Sequence, residues 1–551
     1  MSRLVAVFAL LYFFCSDVFA QGWTPFIPPP AVPDQGVPFL KDDPAYPIYT
    51  NIYNEMQAHF GSANEAQKAG RAIAQLQKDY PTSPYPSFAL AEFKFMMADG
   101  GPDDNVEVNA ILDNVMRKNG ANLPDGYILK AKMAAQIGDN IGALQSANVA
   151  VRFAPNKPES QFALARAEEI NKHYPQAEDA YRKFVTLESN PARQANIYRW
   201  LGDMFSNPNR TRADRLANQA KAREAFSKSA ELGPTYGHIA AYATFLLTGA
   251  GDADAAAPYF TRMLQQDPND DNAKFYLDLI DYLKWAKTNT NGASTAALDA
   301  IQKRGGLSKE DAFVIAAEYD GLSAITAAML RTKAIKNINV VCSSVCENRI
   351  PIASAIVNAA FSDNFALVKE LAEHGANINA QGLERRTVLM YALFATDVDM
   401  VTYLLKKGAR VNVNADDGLT PMSVAIIASP QSKKLVSLLL KYKADPMGVD
   451  GSGQAMPFVA VMRNSIGAID ALITEGKVDV NLRNSYQMNL LAYALDNPEM
   501  LRFLLSKGAD PWQQVLNSDL LDYARASMRP EADTAKVVAI LEEARKNKPK
   551  K

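Results

Sequence analysis

The sequence predicts an all-α protein built as two tandem α-solenoids, each a stack of helical hairpins. Two periodicities carry this expectation. Between 46 and 288, Ala and aromatic residues recur at helical spacing. Within that stretch, Gly138, Ala143, Ala147, Ala150 and Pro155 stand at the same offsets as Gly251, Ala256, Phe260, Met263 and Pro268. From 350 onward a second period takes over: Gly375, Gly408, Lys443, Gly476 and Gly508 follow one another at 33, 35, 33 and 32 residues. Apolar pairs such as Leu404-Leu405, Leu439-Leu440 and Leu504-Leu505 precede the turn. One hairpin of this size cannot bury its own apolar face, so neighbouring copies must stack.

The chain of 551 residues is 48% apolar and 21% charged, enough for two or three packed domains. A formal charge of −2 leaves no basic excess of the kind that phosphate binding uses, so nucleic acid is not an expected partner. The basic tail, 546–551, reads as a solvated terminus. At the other end, residues 1–20 combine Arg3, an apolar run from Leu4 to Phe14 and the small-residue exit Val18-Phe19-Ala20, the pattern of a secretory signal cut after Ala20. Cys15 follows bulky Tyr12-Phe13-Phe14, which argues against lipidation. Export is therefore expected, to the periplasm or beyond the cell. No later segment approaches the roughly 20 apolar residues of a membrane span. Residues 21–45 form a proline-rich leader, extended by its prolines, that serves as a spacer or as an arm on the repeats.

Residues 46–288 hold about six hairpins. The clearest are DGYILKAKMAAQIGDNIGALQSANVAVRFAPN, SQFALARAEEINKHYPQAEDAYRKF, NIYRWLGDMF with AKAREAFSKSAELGP, and HIAAYATFLLTGAGDADAAAPYFTRMLQQDPN. The third carries an insertion around SNPNRTRADRL. The pattern resembles the tetratricopeptide repeat, a helix–turn–helix with small residues where the helices touch and a closing proline. That resemblance implies a concave groove lined by the first helices, and places Lys132, Arg166, Asn196, Arg199 and Phe245 in it. Three cations and an amide facing one groove would suit an acidic peptide segment; the same residues would also serve as intra-repeat ion pairs.

Residues 289–349 break the rhythm, first as a linker and then as a helical bridge. This stretch carries Cys342 and Cys346, the only cysteines left after signal removal. A lone pair four residues apart in an exported chain most simply closes a small disulfide loop; a redox pair would need a depressed thiol pKa, and zinc two further ligands.

In the second period, Gly418-Leu419-Thr420-Pro421 sets a turn, a hydroxyl cap and a proline at the first helical position. Together with HGANINA and KGARVNV it resembles the ankyrin repeat, over 350–545. The resemblance implies contacts at loop tips and first helices, and the tips include Gln381, Arg385, Arg386, Asp416 and Asp417. Their mixed signs point to a specific protein face, although exposed loop charges need no purpose. Two departures stand out: Ser423 takes the place of the usual histidine, weakening the network between neighbouring loops, and the fourth unit, GSGQAMPFVAVMRNS, lacks the Thr-Pro start. Lys443 also replaces a turn glycine, so that turn should be strained or reshaped.

No catalytic constellation is legible. The four histidines, His59, His173, His238 and His374, do not pair at metal-ligand spacing, and there is no nucleophile elbow, phosphate loop or zinc-protease motif. The sequence reads as an exported, non-enzymatic scaffold or adaptor that binds proteins or peptides without cofactor or metal. Alternatives are a secreted effector that binds host proteins and a regulator or inhibitor of an envelope enzyme. Oligomeric state is open.

Overall fold

The computed structural model describes residues 43–547 except 60–62, 98–101, 119–122, 208–209, 289–297, 299–300, 302–305, 343–352, 429, 517 and 528–530. The expected signal, residues 21–42 of the leader and Cys346 lie outside the described residues. The chain is mostly helical and forms two compact units, one of Met1–Asn207 with Ala220–Tyr242, the other of Pro208–Gln219 with Ala243–Lys551.

The first unit is a series of helical hairpins. Its helices are α1 (Tyr46–His59), α2 (Ala63–Asp79), α3 (Tyr85–Met97), α4 (Pro102–Lys118), α5 (Pro124–Gln136), α6 (Asn140–Phe153), α7 (Pro158–Ile170), α8 (Tyr174–Leu187) and α9 (Pro191–Phe205). After the excursion that holds α10 (Arg212–Ala217), α11 (Gln219–Leu232) packs back on α9. Local chemistry sets the hairpin turns. Gly138 takes a positive φ of 79°, and Asp139 then caps α6 by accepting the Gly142 amide. Small residues let the helices close up: Ala143, Ala147 and Ala150 are fully buried, and a Cβ at Gly202 would stand 2.8 Å from the Phe226 ring. Successive first helices α1, α3, α5 and α7 touch one another, which lines them up along one face of the unit.

The second unit begins with residues that the sequence assigned to the first series. A π-helical turn, Phe245–Gly249, ends α12 (Tyr236–Thr244); α13 (Ala253–Gln266) and α14 (Asp271–Thr288) form the next hairpin. The contacts divide the chain at 242/243 rather than near 288, and the cause is backbone proximity. Gly321 donates its amide to Thr248 at 2.8 Å, and a Cβ on Gly321 would meet Gly251 N and Leu247 O at 2.5 Å. The insertion containing α10 also belongs here. Arg212 Nε and Arg215 Nη2 reach Asp320 at 2.5 and 3.2 Å, and Arg215 Nη2 donates to Ser362 O at 2.6 Å. An apparent ornament of one hairpin is thus a brace across two turns of the following series.

That series runs α15 (Lys309–Ala316) with α16 (Ser323–Arg331), α17 (Ala355–Phe361) with α18 (Phe365–Glu373), α19 (Val388–Phe394) with α20 (Val398–Lys406), α21 (Pro421–Ile427) with α22 (Ser432–Lys441), α23 (Met456–Met462) with α24 (Ile466–Thr474), and α25 (Leu490–Tyr493) with α26 (Pro498–Ser506). A two-stranded ribbon, β1 (Gln514–Val515) and β2 (Ser518–Asp519), leads into α27 (Leu520–Ser527) and α28 (Glu531–Asn547). The bridge hairpin α15/α16 repeats the plan of those that follow, with a left-handed Lys333 (φ 54°) after its second helix and a bridge from Val341 to Ser354 matching those from Gln381 to Thr387 and from Val449 to Ala455.

Candidate protein-binding surface

Each hairpin of this series ends its second helix with one residue at positive φ: Gly375 at 93°, Gly408 at 88°, Lys443 at 68°, Lys477 at 57° and Gly508 at 96°. Lys443 therefore holds the strained conformation that its place in the period implies. The fourth turn corrects the sequence expectation by one residue, because Lys477 and not Gly476 is left-handed. Gly476 has a different reason to be glycine, since a Cβ there would lie 2.6 Å from Leu472 O.

Beyond most of these turns the loop is tied to the next repeat by asparagine. Asn379 Oδ1 accepts the Arg410 amide at 2.8 Å while its Nδ2 donates to Gly408 O at 3.3 Å; Asn412 does the same with Asp445 N at 2.9 Å and Lys443 O at 3.0 Å. Asn481 accepts from Asp510 N at 2.7 Å, and Asn339, on the bridge hairpin, from Asn377 N at 2.8 Å. Met447 occupies the equivalent place in the remaining repeat, where its amide meets Asp445 Oδ1 as the Asn379 and Asn481 amides meet Asn377 and Asp479. The sequence reading missed this ladder, although the recurrence of Asn in HGANINA, KGARVNV and EGKVDVN was its signal. Ser423, at the histidine position, acts locally: it forms a reciprocal capping box with Thr420.

The predicted loop tips are largely engaged with one another. Arg386 is only 6% exposed; its guanidinium binds Asp417 Oδ2 through Nε (3.0 Å) and Nη2 (2.5 Å), with Glu384 at 2.6 Å. Although burial opposes it, the Asp417 and Glu384 carboxylates raise the Arg386 pKa. Arg385 faces Asp416 more loosely, at 3.7 Å and in solvent, and Asp416 N donates to Glu384 O. Gln381 sits at the bridge to Thr387. Arg386 and Asp417, expected at open tips, are a semi-buried lock between neighbouring repeats, because oppositely charged residues one period apart are brought face to face by stacking.

The first helices supply what the tips do not. In four successive repeats the first helix ends on an apolar residue at the same distance from its N-cap: Phe361, Phe394, Ile427 and Met462. Phe361, Ile427 and Met462 are 39%, 37% and 49% exposed, and Phe394 partly so. Recurrence at one structural position turns isolated exposed apolar residues into a row.

In the first unit, the predicted groove residues have internal partners. Lys132 Nζ lies 3.2 Å from Glu92 Oε1 and 3.1 Å from the Tyr53 hydroxyl. Burial lowers its pKa, yet Glu92 and Tyr53 outweigh that and raise it overall. Arg166 stacks on Trp200 at 4.2 Å and binds Glu169 at 2.6 Å. Arg199 lies 3.8 Å from Asp203, and Asn196 Oδ1 meets His238 Nε2 at 3.0 Å. Phe245 belongs to the second unit, buried in the π-helical turn. In that unit too, Cys342 is buried with its Sγ 3.3 Å from Asp311 Oδ1. Among the described residues no cluster of three or more His, Cys, Asp or Glu could hold a metal, and no helix is long and apolar enough to cross a membrane.

Stacked hairpins that each close with a left-handed turn define a repeat protein. Residues 356–450 and 427–515 match the family model for ankyrin repeats (3 copies), so the second unit contains ankyrin repeats, a module that mediates protein–protein interaction. Among curated proteins, the chain is 31% identical over 144 residues to a putative palmitoyltransferase ZDHHC13 of Danio rerio, covering 26% of this chain and 22% of that protein. It is also 31% over 116 residues with alpha-latrocrustotoxin-Lt1a of Latrodectus tredecimguttatus, covering 20% and 8%. The chain thus spans under a quarter of the length of these relatives. The human ASB11 ankyrin repeat domain is 19% identical, covering 42% of this chain and 96% of that domain, with a TM-score of 0.32.

Proposed function

We propose that the protein is an exported adaptor that binds a protein partner through the apolar row on its ankyrin repeats, while a tetratricopeptide-like series in its first half engages a second partner. The observation that carries the reading is the row itself: Phe361, Phe394, Ile427 and Met462 recur at one position, partly exposed, beside tips whose charges are already matched. Support for the tetratricopeptide-like series is the hairpin plan of the first unit, with Gly202 against Phe226 and fully buried Ala143, Ala147 and Ala150 at the helix contacts. The export signal, periplasmic or extracellular placement, a Cys342–Cys346 disulfide and the absence of enzymatic activity belong to the same reading. Arrays of near-identical surfaces hold extended or edge-presenting macromolecules well.

The test is affinity capture from envelope and culture-medium fractions with the full chain, alongside Phe361→Ser/Ile427→Ser/Met462→Ser and a control altered at Lys406 and Lys441 on the second helices. A partner retained by the control and lost by the row variant, with circular dichroism unchanged, is the expected result. Equal capture by both variants would remove the assignment.

A further inference from the structure

The first unit holds a pocket with a different chemistry from that expected of its groove. It lies across the aligned first helices, lined by Tyr46, Tyr49 and Tyr53 of α1, Glu92 of α3, Asp125 of α5 and Lys157 at the start of α7, with a volume of 30 Å³. That exceeds the roughly 10–15 Å³ that seats one water. Glu92 is 3% exposed and Asp125 8%. Each carboxylate spends one oxygen on an internal cation, Glu92 Oε1 on Lys132 at 3.2 Å and Asp125 Oδ1 on Lys157 at 2.6 Å. The other oxygens, Glu92 Oε2 and Asp125 Oδ2, are buried without a hydrogen-bond partner. A buried carboxylate oxygen left this way costs free energy, and the two side chains that carry these oxygens line one pocket, which marks an acceptor site.

Among the described residues the charges around it do not balance. Arg193 answers two carboxylates at once, Glu159 at 2.6 Å and Glu188 at 3.0 Å, so among these described ion pairs three cations face four carboxylates. The field is felt at Tyr49, whose phenol is pushed well above its usual range by burial and then by Asp125 and Glu92. Tyrosine rings supply the remaining wall, and aromatic rings accept cations already here: Lys132 Nζ lies 5.1 Å from the Tyr53 centroid and Lys157 Nζ 5.4 Å from that of Tyr46.

We infer that this pocket binds a primary ammonium group, whose N–H donors reach Glu92 Oε2 and Asp125 Oδ2 and whose charge closes the local deficit. The ammonium is carried either by a lysine side chain of a bound peptide or by a free alkylamine. An acidic segment, which Lys132 and Arg166 suggest from sequence, would face the uncompensated carboxylate instead. The inference does not depend on the ankyrin surface, and the row variants above leave it untouched.

Calorimetric titration of the full chain tests it with four probes: the blocked tripeptides Gly-Lys-Gly, Gly-norleucine-Gly and Gly-Glu-Gly, and butylammonium. The lysine peptide should bind at least about tenfold more tightly than its norleucine and glutamate counterparts, the loss expected of a charge-assisted bond. Butylammonium binding as tightly as the lysine peptide assigns the site to free amines; binding of the peptide alone assigns it to a polypeptide. Glu92→Gln should reduce lysine-peptide binding about tenfold, and Asp125→Asn provides the same reading should Glu92→Gln fail to fold. Equal binding of lysine and norleucine peptides, preference for the glutamate peptide, or no effect of either variant would overturn the assignment.

Discussion

Asn412 is the best place to measure what holds the ankyrin repeats in register. Its amide makes two bonds to the next repeat, to Asp445 N at 2.9 Å and Lys443 O at 3.0 Å, both in partly solvated surroundings. Water can replace such bonds in part, so each contributes toward the low end of the ~0.5–1.5 kcal/mol of a typical net hydrogen bond. Asn412→Ala should therefore cost about 1–2 kcal/mol. In a domain of this size that lowers Tm by roughly 2–8 °C. Urea unfolding measures the loss, and amide exchange locates it: Asp445 N–H should lose protection before its neighbours.

The reciprocal change is Met447→Asn. Met447 is 44% exposed, so removing it forfeits only about half of the ~1.5–3 kcal/mol of full burial, and two new bonds offset that. Global stability should stay within about 1 kcal/mol while the Asp479 amide gains protection. If Asn412→Ala changes the urea midpoint no more than an ordinary surface substitution, or if Asp479 exchange is unaltered in Met447→Asn, asparagine pairing is not what ties the loops.

Three further outcomes follow from single residues. Arg386→Met leaves Asp417 largely buried without its cation and should destabilise by about 3 kcal/mol, with much of that recovered in Arg386→Met/Asp417→Asn by chemical denaturation; additivity of the two changes would deny the lock. Gly418→Ala should be far worse than Gly408→Ala: both sites have positive φ, worth about 1 kcal/mol, but a Cβ at Gly418 falls 2.3 Å from Gly451 Cα whereas Gly408 faces open space. Burial pushes the Glu318 carboxyl up to about 8. The folded protein then holds a proton that the unfolded chain releases above its ordinary value, so stability should fall as pH rises from about 4.5 to 8. Glu318→Gln should flatten that slope in thermal melts; an unchanged slope would place the titration elsewhere.

What the sequence revealed and what it concealed divide along a physical line. Turns that need a positive φ are legible because glycine announces them, and Gly375, Gly408 and Gly508 are left-handed as the period implies. The fourth turn misleads because Gly476 is there for space, and the lysine after it bears the strain. Capping chemistry is equally local, so Thr420 and Pro421 start their helix where the residues say. Charges are legible as residues but not as partners. Arg386 meets Asp417 31 positions away, Lys132 meets Glu92 40 positions away, and Arg215 of the insertion meets Asp320 105 positions away. Stacking creates those pairs, and no linear pattern records them.

The same stacking decides where binding can occur. Once neighbouring tips have neutralised one another, a partner gains little from Arg386 or Asp417, because forming a new contact would first break a desolvated internal one. Apolar residues carry no such internal obligation. Phe361, Ile427 and Met462 remain partly in water, and covering them gains free energy with area and without a bond to break. In the first unit the logic runs the other way: Glu92 and Asp125 each keep one buried oxygen unanswered, so there a charged group is what the surface lacks. The two units thus present complementary deficits, one of apolar cover and one of positive charge, and a partner that satisfies one has no chemical reason to satisfy the other.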